Sequence, residues 1–455
     1  MTQIDEWLRQ AGELADADKV DEAAELCSRV LGYEPNNYKA LFCIGSVMLK
    51  VGRNVQAQQF LRRVCELMPR DHRGWGQLSI SCAEMHRYDE AIGYAEKALG
   101  IKRESRTLAD ASFAHTTANN WERGRELALA SLKLDPTFKD AQFHLANCDL
   151  AQQRWVDGWY GFKVSEGGKW RKKYAYGDSV EWNGERDAVV MVTGEQGLGD
   201  EVMMAGLVPD AIGACAKFIL DCDYRLGPLF ARSFPDAIVS PTRHVKTVSL
   251  PVAPTHHKTL FGLAELFRTS NESFTRRPYL VANESYRAMF KALFAGRRTV
   301  GLAWSGGFPR TGQEQRSAGI TAFLPLIRGE PEAQYVSLQY KDDAAEVADF
   351  EARTGCKVMR LPWVAQGPDM DVLAALIAEC DEVIGVATTS LHLSSALGVP
   401  TTWLCNRGLN WVFAQDELPW YPPSARIWRK DRGQSWRDCV AELVRERKGK
   451  ERAAA

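Results

Sequence analysis

At 455 residues the chain is long enough for two to four domains, and its composition (45% hydrophobic, 25% charged) is that of an ordinary globular protein. A formal charge of −1 leaves no net basic surface for phosphate backbones, so nucleic acid is not expected as a partner. No apolar run approaches the roughly 20 residues of a membrane span, and the polar, acidic opening MTQIDEWLRQAGEL does not read as a secretory signal.

The first 150 or so residues carry an internal repeat. Pro35 and Pro69 lie 34 residues apart, and Pro136 lies 67 further on, two periods less one. In that register Trp7, Leu41, Trp75 and Leu108 take the large apolar position of a first helix. Ala23, Ala57, Ala91 and Gly124 take a small position opening a second helix, and Cys27, Leu61, Ala95 and Ala128 follow four residues later. Antiparallel helices approach closely only where one presents little side chain. The proline, which has no amide donor, stops the second helix. This is the helix–turn–helix pattern of tetratricopeptide repeats. About four repeats are expected, with a fifth from Phe143 through RWVDGWYGFKV, making a helical solenoid over residues 1–166. The third repeat has Arg103 where its proline would stand. Such an array presents a concave surface to a protein or peptide segment.

The basic patch KWRKK (169–173) leads into a polar stretch, after which apolar runs alternate with helix-length segments. The runs are AVVMV (188–192), KFIL (217–220), TVGLAW (299–304), YVSL (335–338), EVIGV (382–386) and TTWLC (401–405). Helical segments such as AAEVADFEART and DVLAALIAE lie between them. This alternation predicts doubly wound parallel sheets with ligands at the carboxyl ends of the strands. The length suffices for two lobes, at 180–290 and 297–450, with a hinge near 283–298. The tail after residue 429 reads as an amphipathic helix packing back on the lobes.

Three strand–loop–helix junctions are candidates for function. The first runs from a strand into Gly194, Glu195, Gln196, Gly197 and Gly199, with Asp200 as a predicted helix cap. The second places Thr388, Thr389 and Ser390 where a helix begins, and His392 on its first turn. Free amides and hydroxyls at such a terminus suit a phosphate or diphosphate. The third, GLAWSGGFPRTGQEQRS (301–317), brings Ser305, Gly306, Arg310 and Arg316 to a loop that can clamp phosphates. Gln339 and Lys341 follow the next strand, where a nucleobase or phosphate could be held. The 11 cysteines form no C-x-x-C pair and read as reduced, buried thiols of a cytoplasmic protein. The histidines, His256 and His257 included, show no metal-ligand spacing, so no structural metal is expected. No cofactor is expected either.

The stretches GEQGLGD, VGLAWSGG, RS (316–317), SLQ (337–339), SLHLSSALGVPTTWL (390–404) and LNWVFAQDELPWYP (409–422) resemble the glycosyltransferase domain that follows tetratricopeptide repeats in bacterial proteins. That domain is similar to the heptosyltransferases and, more distantly, to the protein O-GlcNAc transferases, which share the two-lobed GT-B fold. The resemblance implies metal-independent transfer of a sugar from a nucleotide-sugar. The diphosphate would sit against the helix beginning at Thr388, and the acceptor near GEQGLGD. It implies Asp200 as catalytic base, with Glu195 as a second candidate, and Arg310, Arg316 and Lys341 as leaving-group stabilisers. The acceptor would be a protein held by the repeats, with flagellin or another surface protein suggested by domain arrangement alone. A lipid or polysaccharide acceptor and a non-catalytic adaptor are the alternatives. The family's V-D-T reads Val386-Ala387-Thr388 here, so a carboxylate expected against the donor is absent.

Overall fold

The computed structural model describes residues 2–17, 19–165, 176–243, 250–307, 313, 316–406, 410–431 and 433–454. They form two compact units. The first contains Met1–Gln152 and the residues following from Tyr160, and the second contains Gln153–Trp159, Lys173–Gly307 and Gln313–Ala455. The KWRKK patch and Arg310 lie outside the described residues.

The first unit is a helical array. Its helices are α1 (Gln3–Asp16), α2 (Val20–Tyr33), α3 (Tyr38–Lys50), α4 (Asn54–Leu67), α5 (His72–Glu84), α6 (Tyr88–Ile101), α7 (Ser105–Thr117), α8 (Trp121–Leu134) and α9 (Lys139–Ala151), with α10 (Trp155–Val164) straddling the division. The small residues stand where the helices of a pair meet. Ala23, Ala57 and Ala91 have no exposed surface. A Cβ on Gly45 would lie 2.8 Å from Leu61 Cγ, and one on Gly124 2.6 Å from Thr116 Oγ1. Helices α2, α4 and α8 end one residue before the residue preceding Pro35, Pro69 and Pro136. Helix α6 ends without a proline: Lys102 turns to extended backbone, and the Glu104 side chain with Thr107 caps α7.

The period is also written in the backbone. Gly52, His86, Asn119 and Gln153 all have positive φ, between 59° and 74°, at the turn within successive repeats. Only the first is glycine, which adopts this left-handed conformation without a Cβ penalty. Gly52→Ala is therefore expected to destabilise the array by about 1 kcal/mol. Gly93→Ala should do the reverse, by roughly 0.5–1 kcal/mol, since Gly93 lies inside α6 and a Cβ there meets nothing within 4 Å. Denaturant unfolding of the two variants checks both signs.

The second unit holds two five-stranded, all-parallel sheets. The first is ordered β1 (Val180–Glu181), β5 (His256–Thr259), β2 (Val189–Thr193), β3 (Lys217–Asp221), β4 (Ile238–Ser240). The second is ordered β10 (Ala425–Lys430), β9 (Thr401–Asn406), β8 (Glu382–Val386), β6 (Thr299–Ala303), β7 (Gln334–Ser337). The six predicted strands are β2, β3, β6, β7, β8 and β9, and four more complete the sheets. In each sheet the strand order reverses beside the first long strand: β3 and β5 flank β2, and β7 and β8 flank β6. Crevices at such reversals are where open α/β sheets bind ligands. The loops concerned are those the sequence singled out: Gly194–Gly197 after β2, Trp304–Gly307 after β6, and Ala387–Thr388 after β8.

Strand β5 reads HHKT and is internal, paired to both β1 and β2. A polar strand survives there because its groups are matched. Lys258 is 4% exposed, and its ammonium meets Glu181 at 2.7 Å and Glu265 at 3.1 Å. His257 Nδ1 lies 3.0 Å from Ser179 Oγ. The segment 283–298 is the Glu284–Phe294 helix, buried on Phe290 and Phe294 and ending at Ala295 in left-handed backbone. The C-terminal helix Trp436–Ala454 packs on the second sheet's core through Val440 and Leu443, and its Arg447 bonds Glu382.

Candidate functional site

The Leu198–Met204 helix, carried by β2, and the Thr389–Leu397 helix, carried by β8, pack against each other. Their N-terminal ends meet: a Cβ on Gly199 would lie 2.7 Å from His392 Cδ2 and 3.1 Å from its Nε2. Around this junction stand Glu195, Asp200, Arg316, Thr388 and His392. Gln339, Ser305 and Gly306 lie immediately behind.

Asp200 is not the helix cap the sequence suggested. Gly197 occupies the cap position, and Asp200, three residues on, accepts the Gly197 amide on Oδ2 at 3.0 Å. Among the described residues its second oxygen makes no hydrogen bond. Burial pushes the Asp200 carboxyl above the usual range, and Glu195 pushes it the same way. The Gly197 amide, Arg316 and Arg243 oppose them. Glu195 is itself 3% exposed. Gly194 has no room for a side chain, because a Cβ would lie 2.4 Å from the Glu201 carboxyl carbon. Gln196 is exposed and left-handed, at φ 63°.

On the facing side, Thr388 is the cap residue of its helix, yet its side chain makes no cap bond. Its Oγ1 is buried without a hydrogen-bond partner among the described residues, in a residue 8% exposed. A buried hydroxyl left unpaired at a helix N-terminus costs free energy unless a ligand satisfies it. Thr388→Val is accordingly expected to leave the thermal midpoint unchanged or raised, while weakening any anion bound there by about tenfold. Calorimetry and titration with a nucleoside diphosphate measure the two effects.

Arg316 is half-buried beside it. Burial pulls its guanidinium below the ordinary arginine value, with Asp200 opposing. Among the described residues no hydrogen bond or ion pair to its side chain forms; only its backbone bonds, to Gly306 and Gln313. His392 is neutral, its pKa lowered to about 3 by burial and by Arg316. Its Nδ1 lies 2.5 Å from the Tyr421 hydroxyl and its ring sits edge-on to Trp403.

Other sequence candidates are occupied by the protein. With its amide in the favoured orientation, Gln339 binds the backbone of Trp304 and Ser305 at 2.6–2.9 Å and so shapes the β6 loop. Ser390 donates to Leu338 O at 3.1 Å. Lys341 Nζ donates to Gly307 O at 2.9 Å, as does the Tyr340 hydroxyl. Ser305 Oγ meets Ser317 Oγ at 3.1 Å. Gly306 packs where a Cβ would lie 2.6 Å from Thr388 Cγ2 and 3.0 Å from Ala387 O. Thr389 is half-buried at the first helical position.

Four residues that the sequence did not single out organise the site. Glu201, with no exposed surface, bonds Arg243 and the Asp223 amide. Tyr279 donates to Val202 O and Met203 O at 2.9 and 3.2 Å and stacks parallel to Tyr421. Glu201 had a signal: a carboxylate inside the apolar run DEVMMAGL needs a buried partner. The three others had none. Among the described residues, no group of three or more His, Cys, Asp or Glu is placed to hold a metal, and no helix is long and apolar enough to cross a membrane.

The class defined by this architecture is a tetratricopeptide-like helical solenoid joined to a parallel α/β unit. Residues 16–98 match the family model for anaphase-promoting complex, cyclosome, subunit 3. The chain is 25% identical to Protein FlbA of Caulobacter vibrioides, over 96% of this chain and 81% of that protein. Among solved structures it is similar to a thermophilic TPR protein of Thermus thermophilus, at 18% identity and a TM-score of 0.34, covering 36% of this chain and 89% of that one. It is also similar to MamA from Desulfovibrio magneticus, at 16% identity and a TM-score of 0.30, covering 36% and 92%.

Proposed function

We propose that the chain is a glycosyltransferase that moves a sugar from a nucleotide-sugar to a protein hydroxyl, the acceptor being recruited by the repeats. The observation that carries this reading is the pairing of unsatisfied groups at one helix terminus. Among the described residues neither the Thr388 hydroxyl nor the Arg316 guanidinium has a protein partner, and both stand by the first amides of the Thr389–Leu397 helix, where an anion is favoured. Asp200 stands across from them, bonded among the described residues to the Gly197 amide through one oxygen. In the transfer step the acceptor oxygen attacks the anomeric carbon, and Asp200 takes its proton. The bond from that carbon to the phosphate oxygen breaks, and the electron pair leaves on the nucleotide, stabilised by Arg316 and the helix amides. Lys341 and Arg310 are further candidates for that stabilisation.

Ala387 is buried, with its carbonyl against Gly306, so the position where the resembled family carries Asp offers no charge to the donor. We read this as a difference in the sugar accepted. Arrays of this repeat class commonly bind protein segments, which favours a protein acceptor, such as a flagellin or another surface protein, over a lipid.

The test is to incubate the full chain with a panel of nucleotide-sugars, with and without candidate protein acceptors. Nucleotide release and acceptor mass are then followed. Release that depends on the acceptor, with the acceptor gaining one sugar mass, is the expected result. Tight nucleoside-diphosphate binding without turnover of any donor would instead make the α/β unit a binding module.

A further inference from the structure

The loop between β2 and the Leu198–Met204 helix carries Glu195 and leads into Asp200 on the first turn of that helix, and nothing in its own sequence fixes its direction. Two of its four residues, Gly194 and Gly197, are glycines, and a third, Gln196, is held in a left-handed conformation that L-residues avoid. Something outside the loop must hold it. Arg243, just beyond β4, reaches in with a side chain 9% exposed. One guanidinium nitrogen donates to the fully buried Glu201, and Nη2 donates to the Gln196 carbonyl at 2.5 Å. Glu201 is fixed in turn by the Asp223 amide at 3.0 Å, at the end of β3, and fills the space a Gly194 side chain would need.

We infer that Arg243 is a positioning residue: anchored by Glu201, it grips the Gln196 carbonyl and so aims Glu195 and Asp200. The inference rests on the glycosyl-transfer reading above. A buried ion pair is weak evidence for stability, because desolvation offsets much of the attraction. It is better suited to direction, since a guanidinium fork bonds two acceptors in one plane. Here those acceptors are a rigid carboxylate and a strained loop carbonyl. The pair thus contacts the loop at its start, through Glu201 against Gly194, and at its middle, through Arg243 against Gln196. The Asp200 bond to Gly197 closes the far end.

Arg243 also acts on Asp200 electrostatically. Among the described residues, the groups facing that carboxyl are Glu195 from the loop before its helix, Arg243 from beyond β4, Arg316 from the β6 loop, the neutral His392 from the Thr389–Leu397 helix and Tyr421 from the segment between β9 and β10. Arg243 is thus one of the cations that lower the Asp200 pKa against the effect of burial.

Two variants of the full chain test the inference. Arg243→Met combined with Glu201→Gln removes both charges at similar bulk, so no carboxylate is orphaned. Arg243→Lys keeps the charge and loses the fork. In the double variant, amide hydrogen exchange across residues 195–200 should quicken by roughly tenfold or more while β2 and the second sheet keep their protection. Its kcat should fall by about tenfold or more at nearly unchanged donor KM. A loss confined to kcat is the sign of misaimed carboxylates, which a merely structural role would not produce. Arg243→Lys keeps the cation near Asp200, so it should lose kcat with the acid limb of kcat/KM in place. Wild-type exchange in the double variant, or a KM rise at unchanged kcat, would overturn the inference. If the unaltered chain turns over no nucleotide-sugar, the transfer reading itself has failed, and the exchange measurement alone decides whether Arg243 holds the loop.

Discussion

Asp200→Asn is expected to lower turnover by about 10²–10⁴-fold, the range for loss of a general base, with no loss of fold. Asparagine keeps the shape of the side chain, and its carbonyl oxygen can still accept the Gly197 amide, the one bond that ties Asp200 into the helix start. What is lost is the ability to take a proton from an attacking hydroxyl. The same carboxylate sets the expected pH dependence. Burial raises its pKa and Glu195 adds to the rise. The base works only when ionised, so kcat/KM should fall as pH drops through the raised value and level off above it. Nucleotide release across a pH series, with thermal midpoints taken alongside, reads both effects. Turnover equal to that of the unaltered chain would remove Asp200 from the chemistry and bring Glu195→Gln forward as the next variant.

Arg316→Met is expected to act with opposite signs on function and stability. The guanidinium is half-buried and has no protein partner among the described residues, so its partial desolvation is uncompensated. Replacing it with an apolar side chain of similar length should therefore raise the thermal midpoint slightly. Binding of a nucleoside diphosphate should weaken by about 10–100-fold, the size of one or two charge-assisted hydrogen bonds. Calorimetric titration and thermal unfolding on the same preparation separate the two. A variant that loses stability and keeps its affinity would mean that Arg316 serves the loop and not a ligand.

The repeats were legible because a fixed period repeats the same packing constraint: Ala57 and Ala91 must be small for the same reason as Ala23. The strands found in the sequence are those whose interior demands an apolar run, such as EVIGV and TTWLC. Those missed are short, like β4, or polar, like β5, where burial of Lys258 is balanced by partners far apart in the chain. The loops after β2, β6 and β8 were legible from glycines and hydroxyls at strand ends, and the Thr388 and Arg316 environments give those residues a reason to be there. The roles of Gln339 and Ser390 were not legible, because a polar side chain at a strand end looks the same whether it faces a ligand or a neighbouring loop. Arg243 could not be read at all, since its meaning depends on a strand order that places β4 two strands from β2.

The stretch joining the two sheets bears on how this molecule can be re-engineered. The backbone amides of Tyr279 and Leu280 both donate to Ala396 O, at 3.0 and 3.2 Å, on the helix that follows β8. The Tyr279 hydroxyl reaches back to Val202 and Met203, on the helix that follows β2. One tyrosine thus touches both halves of the cleft. The halves are consequently poor modules for recombination. A chimera that grafts a different second-sheet half onto this first-sheet half has to carry Tyr279 with both of its docking sites, or it will misalign the helix ends where the chemistry is proposed to occur.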